Sequence, residues 1–441
     1  VYKSLYFNYI VYYAGFAAAA IFVGAYFIPV LMNVGWLVLI CTLIAVCIDI
    51  LLLYRSHQAI NAYRHLPSRF SNGDPNKVSI EIQNDYDFPV HCQVIDELPF
   101  QLQERKWKRS LILPKGEQEQ IKYSIIPQER GDYQFGAIHV FVASPLKLIR
   151  RKYSFLQEQT VKVYPSFFQM RRYQLLAMAN RLQDAGVKRM RRLGHSLEFE
   201  QIKEYVRGED YRTVNWKATA RRGDLMTNSF TDERSQQVYC IINKGRIMKM
   251  PFEGLTLLDH AINASLVLSN VALMRQDKAG LITYAETIDT FIPADKKAPQ
   301  LNLILEHLYR QTTNYMEPDM EKLFSAIRNR ITQRSLLVLF TNYESLESLE
   351  RELPALKRIA HYHLLMVVLF ENTELKQLIE KPAANTEEIY IKTIAEKYNH
   401  DKRQMVKELQ QNGIIGVLTT PQQLTINAIN KYLELKNRQS I

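Results

Sequence analysis

Two apolar runs open the chain, from about Leu5 to Ile28 and from about Val34 to Tyr54, joined by an uncharged link at Pro29-Val30-Leu31-Met32-Asn33. Each run is about 20 residues, the length a helix needs to cross a hydrocarbon core about 30 Å thick. A chain that starts this way is expected to carry a transmembrane helical hairpin over residues 1–56, which constrains everything after it to lie beside a bilayer. The first run is too long for a cleaved leader, and a second follows at once. Lys3 precedes the first run, and Arg55, Arg64 and Arg69 follow the second. The positive-inside rule then places both termini in the cytoplasm, in a multi-pass protein of the cell (inner) membrane. Tyr6, Tyr9, Tyr12, Tyr13, Tyr26 and Trp36 sit where interfacial aromatics belong, and Ala17 to Ala20 form a small-residue surface for close helix approach. Asp49 falls inside the second run, within two turns of its end, and is expected to snorkel or to pair with Arg55.

The chain has 441 residues, enough for two or three domains, and a net charge of +11. Basic residues beside a membrane anchor account for that excess, and no nucleic-acid-binding module is present. Its four cysteines, Cys41, Cys47, Cys92 and Cys240, form no C-x-x-C pair, which argues against a zinc site and a disulfide framework.

Residues 70–166 read as short strands. Lys77 to Asn84 alternates polar and apolar, Val90–Ile95, Ile121–Ile126 and Ala137–Ala143 follow, and turns fall at Pro114-Lys115-Gly116 and Arg130-Gly131-Asp132. This spacing predicts an antiparallel β-sandwich. Residues 167–228 contain a basic connector, with Arg171-Arg172 and Lys188-Arg189-Met190-Arg191-Arg192 around an apolar-periodic stretch. From 229 to 437, helical and strand patterns alternate. The strands are expected at Gln237–Ile242, Ala279–Tyr284, Thr287–Ile292, Ser335–Phe340, His363–Phe370 and Ile414–Thr419. Alternation of this kind predicts a doubly wound α/β domain, with ligands outside the carboxyl ends of the strands.

Between Gly194 and Leu225 the texture is different. Charged residues, aromatics and glycines stand at fixed offsets with no helical or strand period. Glu198, Phe199, Glu204, Tyr205, Arg207, Gly208, Asp210, Arg212, Asn215, Trp216 and Arg221 are the residues to watch. Paired carboxylates are able to do acid–base work, but no Ser-His-Asp, Cys-His or phosphate loop accompanies them. The favoured expectation is a structural or docking role: either interlocking ion pairs fix a long β-arm or loop against the α/β domain, with Trp216 as an anchor, or the segment is a docking surface.

The run from Glu204 to Arg221 resembles the signature of the bacterial domain-of-unknown-function 58 family, departing from it at Lys203, Glu209 and Asn215. That resemblance implies a membrane anchor and a von Willebrand factor A-like domain. It also implies partnership with MoxR-type AAA+ ATPases and with other von Willebrand A-type membrane proteins. The metal site of such domains uses a D-x-S-x-S loop after the first strand, a Thr from a second loop and an Asp after the fourth strand. Here Asn243, Gly245 and Ile247 stand in the first loop, Thr312 or Thr313 in the second, and Asn342 in the third. Both carboxylates are missing, so no metal and no cofactor is expected. Returning Asp to 243 and 342 and Ser to 245 and 247 is expected to restore a site. The resulting functional expectation is a non-enzymatic, membrane-anchored adaptor or scaffold, working with an AAA+ ATPase in assembly or remodelling of envelope complexes. The alternative is a metal-dependent hydrolase or a metal-gated adhesion module.

Overall fold

The computed structural model describes residues 4–56, 59–104, 106–166, 168, 170, 198–206, 211–231, 235–252, 254–313, 315–380, 382 and 385–438. The basic connector around 171–192 and Arg207, Gly208 and Asp210 of the signature lie outside the described residues. Two compact units emerge, Val1–Tyr164 and Pro165–Ile441.

The first unit joins an apolar helical hairpin to three small sheets. Helix α1 runs Tyr9–Ala25 and α2 Leu31–Tyr54. Only α2 is long and apolar enough on its own to cross a bilayer; α1, at 17 residues, is apolar but shorter. Leu5–Phe7, read from the sequence as the start of the first helix, is instead strand β1. The helix starts later because the Asn8 side chain caps it, accepting from Tyr9 N at 2.9 Å.

Strands β2 (Ile60–His65), β3 (Arg69–Ser71), β4 (Asn76–Asn84), β5 (Val90–Asp96), β6 (Lys108–Leu113), β7 (Gln118–Ile125), β8 (Gly131–Phe135), β9 (Ile138–Ala143), β10 (Ile149–Phe155) and β11 (Gln159–Tyr164) follow. They form sheets in the orders β1-β10-β9-β5-β6, β2-β4-β7 and β3-β11-β8, antiparallel except for β3 with β11. One core packs Ile60, Ile80 and Ile82 against Val94, Val140 and Ile149, with Leu53 of α2 among them. Strands β2, β3, β6, β8 and β10 were not legible from alternation. Charged or turn residues interrupt their patterns, as Arg150-Arg151-Lys152 do in β10. One of those charges, Arg64, is buried against Asp96 and also donates to Gly136 O at 3.0 Å.

Asp49 corrects its expectation. It is fully buried and does not pair with Arg55; its Oδ2 accepts the backbone N–H of Leu148 at 3.0 Å and of Ile149 at 2.9 Å. The turn between β9 and β10 has backbone donors to satisfy, and a carboxylate on the flank of α2 satisfies two of them. Arg151 completes the joint. Its Nη1 donates to Leu53 O at 2.5 Å and Ser56 O at 2.7 Å, and its guanidinium faces the rings of Tyr54 and Tyr153. Tyr86 Oη donates to Leu53 O at 2.8 Å. The carbonyls that a helix end leaves open are thus closed by side chains of the β region.

Asp49→Ala is therefore expected to destabilise this unit by about 1–3 kcal/mol for each backbone donor left buried without a partner. Asp49→Asn, which keeps an acceptor oxygen, should recover most of the loss. Thermal melts of the full chain in detergent are the check, and equal melting points for the two variants would contradict the joint.

In the second unit, β14 (Gln237–Asn243), β15 (Lys278–Tyr284), β16 (Ile288–Asp295), β17 (Leu336–Phe340), β18 (Leu364–Phe370) and β19 (Ile415–Thr419) form one sheet in the order β16-β15-β14-β17-β18-β19. All neighbours are parallel except β15 with β16. Helices cover both faces, so the central strands are apolar at nearly every position, as a doubly covered sheet requires. Numbered after α3 of the arm described below, α4 (Leu257–Met274), α5 (Gln300–Tyr309) and the closing helix α10 (Leu424–Asn437) lie together. On the other core, α6 (Met320–Arg330), α7 (Leu346–Tyr362) and α9 (Thr386–Gln411) pack on Tyr239, Ile241, Leu337 and Leu339. Helix α4 is long and apolar enough to be mistaken for a membrane span, but most of it is buried in the unit. Helix α8 (Thr373–Glu380), unforeseen from the sequence, precedes α9.

Candidate functional site

The loops at the carboxyl ends of β14 and β17 bring together residues that sequence reasoning singled out. Asn243 is buried, and both ends of its amide are used within the chain. Its Nδ2 donates to Thr341 Oγ1 at 2.9 Å, and its Oδ1 accepts Gly245 N at 2.7 Å. Asn342 is equally buried, and its Oδ1 accepts from Lys402 Nζ at 2.5 Å. The same ammonium donates to Tyr343 O at 2.5 Å. A second lysine, Lys244, is buried beside Asn243 and pairs with Asp289 Oδ2 at 2.8 Å. The Lys244 ammonium holds the Asp289 carboxyl below its ordinary range.

These residues do not fit a divalent ion. Such an ion needs hard oxygens and carboxylate charge. Here the two amide oxygens are already bonded, and cationic groups stand beside them. The space is closed as well. A Cβ added to Gly245 would lie 2.9 Å from Pro318 Cδ and 3.2 Å from Met316 O, because the segment before α6 folds over the first loop. Ile247 is half-buried in a short 3-10 turn, Arg246–Lys249, and Thr312 is exposed. Among the described residues, no group of three His, Cys, Asp or Glu side chains is placed to hold a metal.

Lys402 was missed, although its signal is in the sequence. The buried stripe of α9 is Ala395, Lys402, Met405 and Leu409, spacings of seven, three and four that mark one helix face. A lysine on such a stripe must reach a buried acceptor. Burial pushes its pKa down from 10.5 to about 7. Nearby, Tyr343 Oη donates to Glu352 Oε2 at 2.7 Å, and burial pushes the Glu352 carboxyl up from 4.5 to about 7.

The signature segment is a β-arm. Strand β12 (Glu198–Glu204) pairs antiparallel with β13 (Met226–Thr231), with a register shift between Phe199 and Gln201. Tyr205 continues the ladder, donating from its N–H to Leu225 O at 2.8 Å. The short helix α3 (Trp216–Arg222) folds back on β13. Asn215 organises this return: its Oδ1 caps α3 at Ala218 N, 3.0 Å, and its Nδ2 donates to Asn228 Oδ1 at 2.8 Å. Gly223, at φ 82°, ends the helix in the left-handed region. Among the described residues, the bonds that Asn215 makes at this return are neutral. Trp216 is 71% exposed and is no buried anchor; Arg212, Arg221 and Glu204 are exposed too. The physical reason is that α3 has only two turns and buries none of its residues.

Two predictions follow from the chemistry of these loops. Calorimetry of the full chain in detergent should detect no Mg²⁺, Mn²⁺ or Ca²⁺ binding tighter than about millimolar. Returning Asp to 243 and 342 with Ser at 245 and 247 should not create a site, contrary to the sequence-based expectation. Asp at 342 would take the Lys402 ammonium as its partner, and Ser at 245 would meet Pro318. Micromolar binding in either protein would refute the closed geometry.

The second prediction concerns pH. Between about 7 and 10.5 the unfolded chain keeps a proton on Lys402 that the folded chain releases, so stability rises with pH through that window. Between about 4.5 and 7 the folded chain keeps a proton on Glu352 that the unfolded chain releases, so that contribution falls as pH rises. In denaturant titrations, Lys402→Met should flatten the alkaline limb and Glu352→Gln the acidic one. Unchanged limbs would show that neither group is perturbed.

The chain resembles proteins whose role is undefined. The family described as "Protein of unknown function DUF58" matches residues 201–378, which includes most of the arm and the loops described above. The "Uncharacterized protein YeaD" of Bacillus subtilis (strain 168) is 26% identical over 180 residues, covering 39% of this chain and 44% of that protein. The matched part therefore spans less than half the length of this relative. Among solved structures, the conserved hypothetical protein BatB from Bacteroides thetaiotaomicron aligns with 46% of this chain and 100% of its own, at 13% identity and a TM-score of 0.30. The ASH/PapD-like domain 7 of human CEP192 aligns with 24% of this chain and 84% of its own, at 12% identity and a TM-score of 0.18.

Proposed function

We propose that this chain is a membrane-anchored, non-enzymatic adaptor whose second unit is a von Willebrand A-like domain that has exchanged its metal for internal lysines. The carrying observation is the closure of the sheet's carboxyl edge, where Lys402, Thr341, Gly245 and Pro318 fill or cover the groups that would ligate an ion. The alternating α/β order and the position of the loops at the strand ends support the domain reading. A common core between facing strands supports reading residues 70–166 as a β-sandwich. The mainly exposed apolar side chains of α1 and α2 support a transmembrane hairpin, and Lys3, Arg55 and Arg69 orient both termini to the cytoplasm.

An adaptor needs exposed contact residues, and the arm supplies them. Tyr211 and Trp216 are exposed beside Arg212, Lys217, Arg221 and Arg222. Aromatic and arginine side chains dominate protein-binding hot spots. The family resemblance points to a MoxR-type AAA+ ATPase as the partner, with other von Willebrand A-type membrane proteins in the same assembly of envelope complexes.

A photo-crosslinking residue placed at 216 should capture that ATPase in intact cells, in the presence or absence of chelator. Trp216→Ala should weaken co-purification while leaving the melting point within about 0.5 kcal/mol of the parent, as for an exposed side chain. Capture only of extracytoplasmic proteins, or of none, would refute both the partner and the orientation.

A further inference from the structure

The hairpin and the β region are bonded at one level. On α1, Asn8 N donates to Leu148 O at 2.9 Å and Asn8 Nδ2 to Lys147 O at 2.7 Å. On α2, Asp49 accepts from Leu148 N and Ile149 N. The turn before β10 is thus tied to both helices, at the residue that caps α1 and one and a half turns inside α2. From the turn before Asp49 onward, α2 touches the β region: Leu53 is buried in its core, and Val46, Ile50 and Tyr54 pack against it.

Lengths then set the depth. The part of α2 before Asp49, residues 31–48, measures about 27 Å, and α1 about 25 Å, at about 1.5 Å per residue. Both lie close to the thickness of a bilayer's hydrocarbon core. If the hairpin spans a membrane, the hydrocarbon edge falls at Asn8 and Asp49, and the turn tied to them lies at that edge.

The turn is built to face outward. Ser144 Oγ accepts Leu146 N at 3.0 Å, and Ser144 O accepts Lys147 N at 3.1 Å. Lys147 is held at φ 56°, an uncommon conformation for a side chain of this kind. Leu146 is 46% exposed and Lys147 is exposed, its ammonium without a partner among the described residues. Tyr6, Phe7 and Tyr9 are exposed on the adjoining strand and helix start.

Resting on the reading of α1 and α2 as bilayer-spanning, we propose that the turn at residues 144–148 is a third membrane-contacting element. Leu146 enters the boundary between headgroups and acyl chains, and Lys147 binds the phosphate of an anionic phospholipid. A leucine beside a lysine at that depth matches the chemistry of interfacial anchors.

The test uses the full chain in nanodiscs with Cys41→Ser and Cys47→Ser, since Cys92 and Cys240 are buried. An environment-sensitive dye is attached through Leu146→Cys, Leu156→Cys or Leu37→Cys. Leu156 is exposed just beyond the far end of β10, and Leu37 is exposed on α2. With nitroxide lipids labelled at shallow and deep positions, the dye at 146 should be blue-shifted and quenched by the shallow label, that at 37 by the deep label, and that at 156 by neither. Quenching at 37 but not at 146 would overturn the proposal alone; no quenching at 37 would overturn the spanning reading beneath it. Adding phosphatidylglycerol to phosphatidylcholine discs should deepen quenching at 146, and Lys147→Glu should abolish that increment. An increment that survives Lys147→Glu would remove the phosphate contact.

Discussion

A single carboxylate decides how the first unit is assembled. Asp49 sits on an otherwise apolar helix, where an unanswered charge would be costly, and it is answered by two backbone N–H groups of the β9–β10 turn. Arg151, two residues past Ile149, reaches open carbonyls at the end of the same helix. Each group solves the other element's problem: the helix supplies an acceptor for a turn, and the strand supplies donors for a helix end. The hairpin and the sheets are consequently one unit, and the end of α2 is a core element of the β region.

The second unit shows the same rule with a different outcome. At the carboxyl edge of its sheet, two neutral amides stand where carboxylates would invite a cation. The chain supplies its own cation, Lys402, from a distant helix. Burying the ammonium depresses its pKa, because desolvation is only partly offset by the charge of Glu344. An edge arranged in this way has its buried polar groups answered from within the chain.

On the arm, large side chains stand outside the cores. Asn215 ties the short helix of the arm to β13, and Tyr211 and Trp216 are left exposed on it. Trp216, the expected anchor of a clamp, is exposed instead. A two-turn helix held by its caps has little need of a buried ring.

Local order was readable wherever a period was unbroken. The apolar runs of α1 and α2, the buried strands β14, β17 and β18, and helix α9 stand in the structure close to their sequence boundaries, because periodicity reports which side of an element meets apolar surroundings. That Asn243, Gly245 and Asn342 carry no charge was also plain in the sequence. The partners of those residues were not. Lys402 lies 60 positions from Asn342, Leu148 lies 99 from Asp49, and Pro318 closes over Gly245 from another loop. Buried polar groups choose their partners by proximity in the fold, and a sequence states only which groups will need one. The chain itself determined the elements, their apolar faces and the neutral residues at the strand ends; the tertiary structure decided which side chain answers each buried charge, since that depends on distances only a packed core creates.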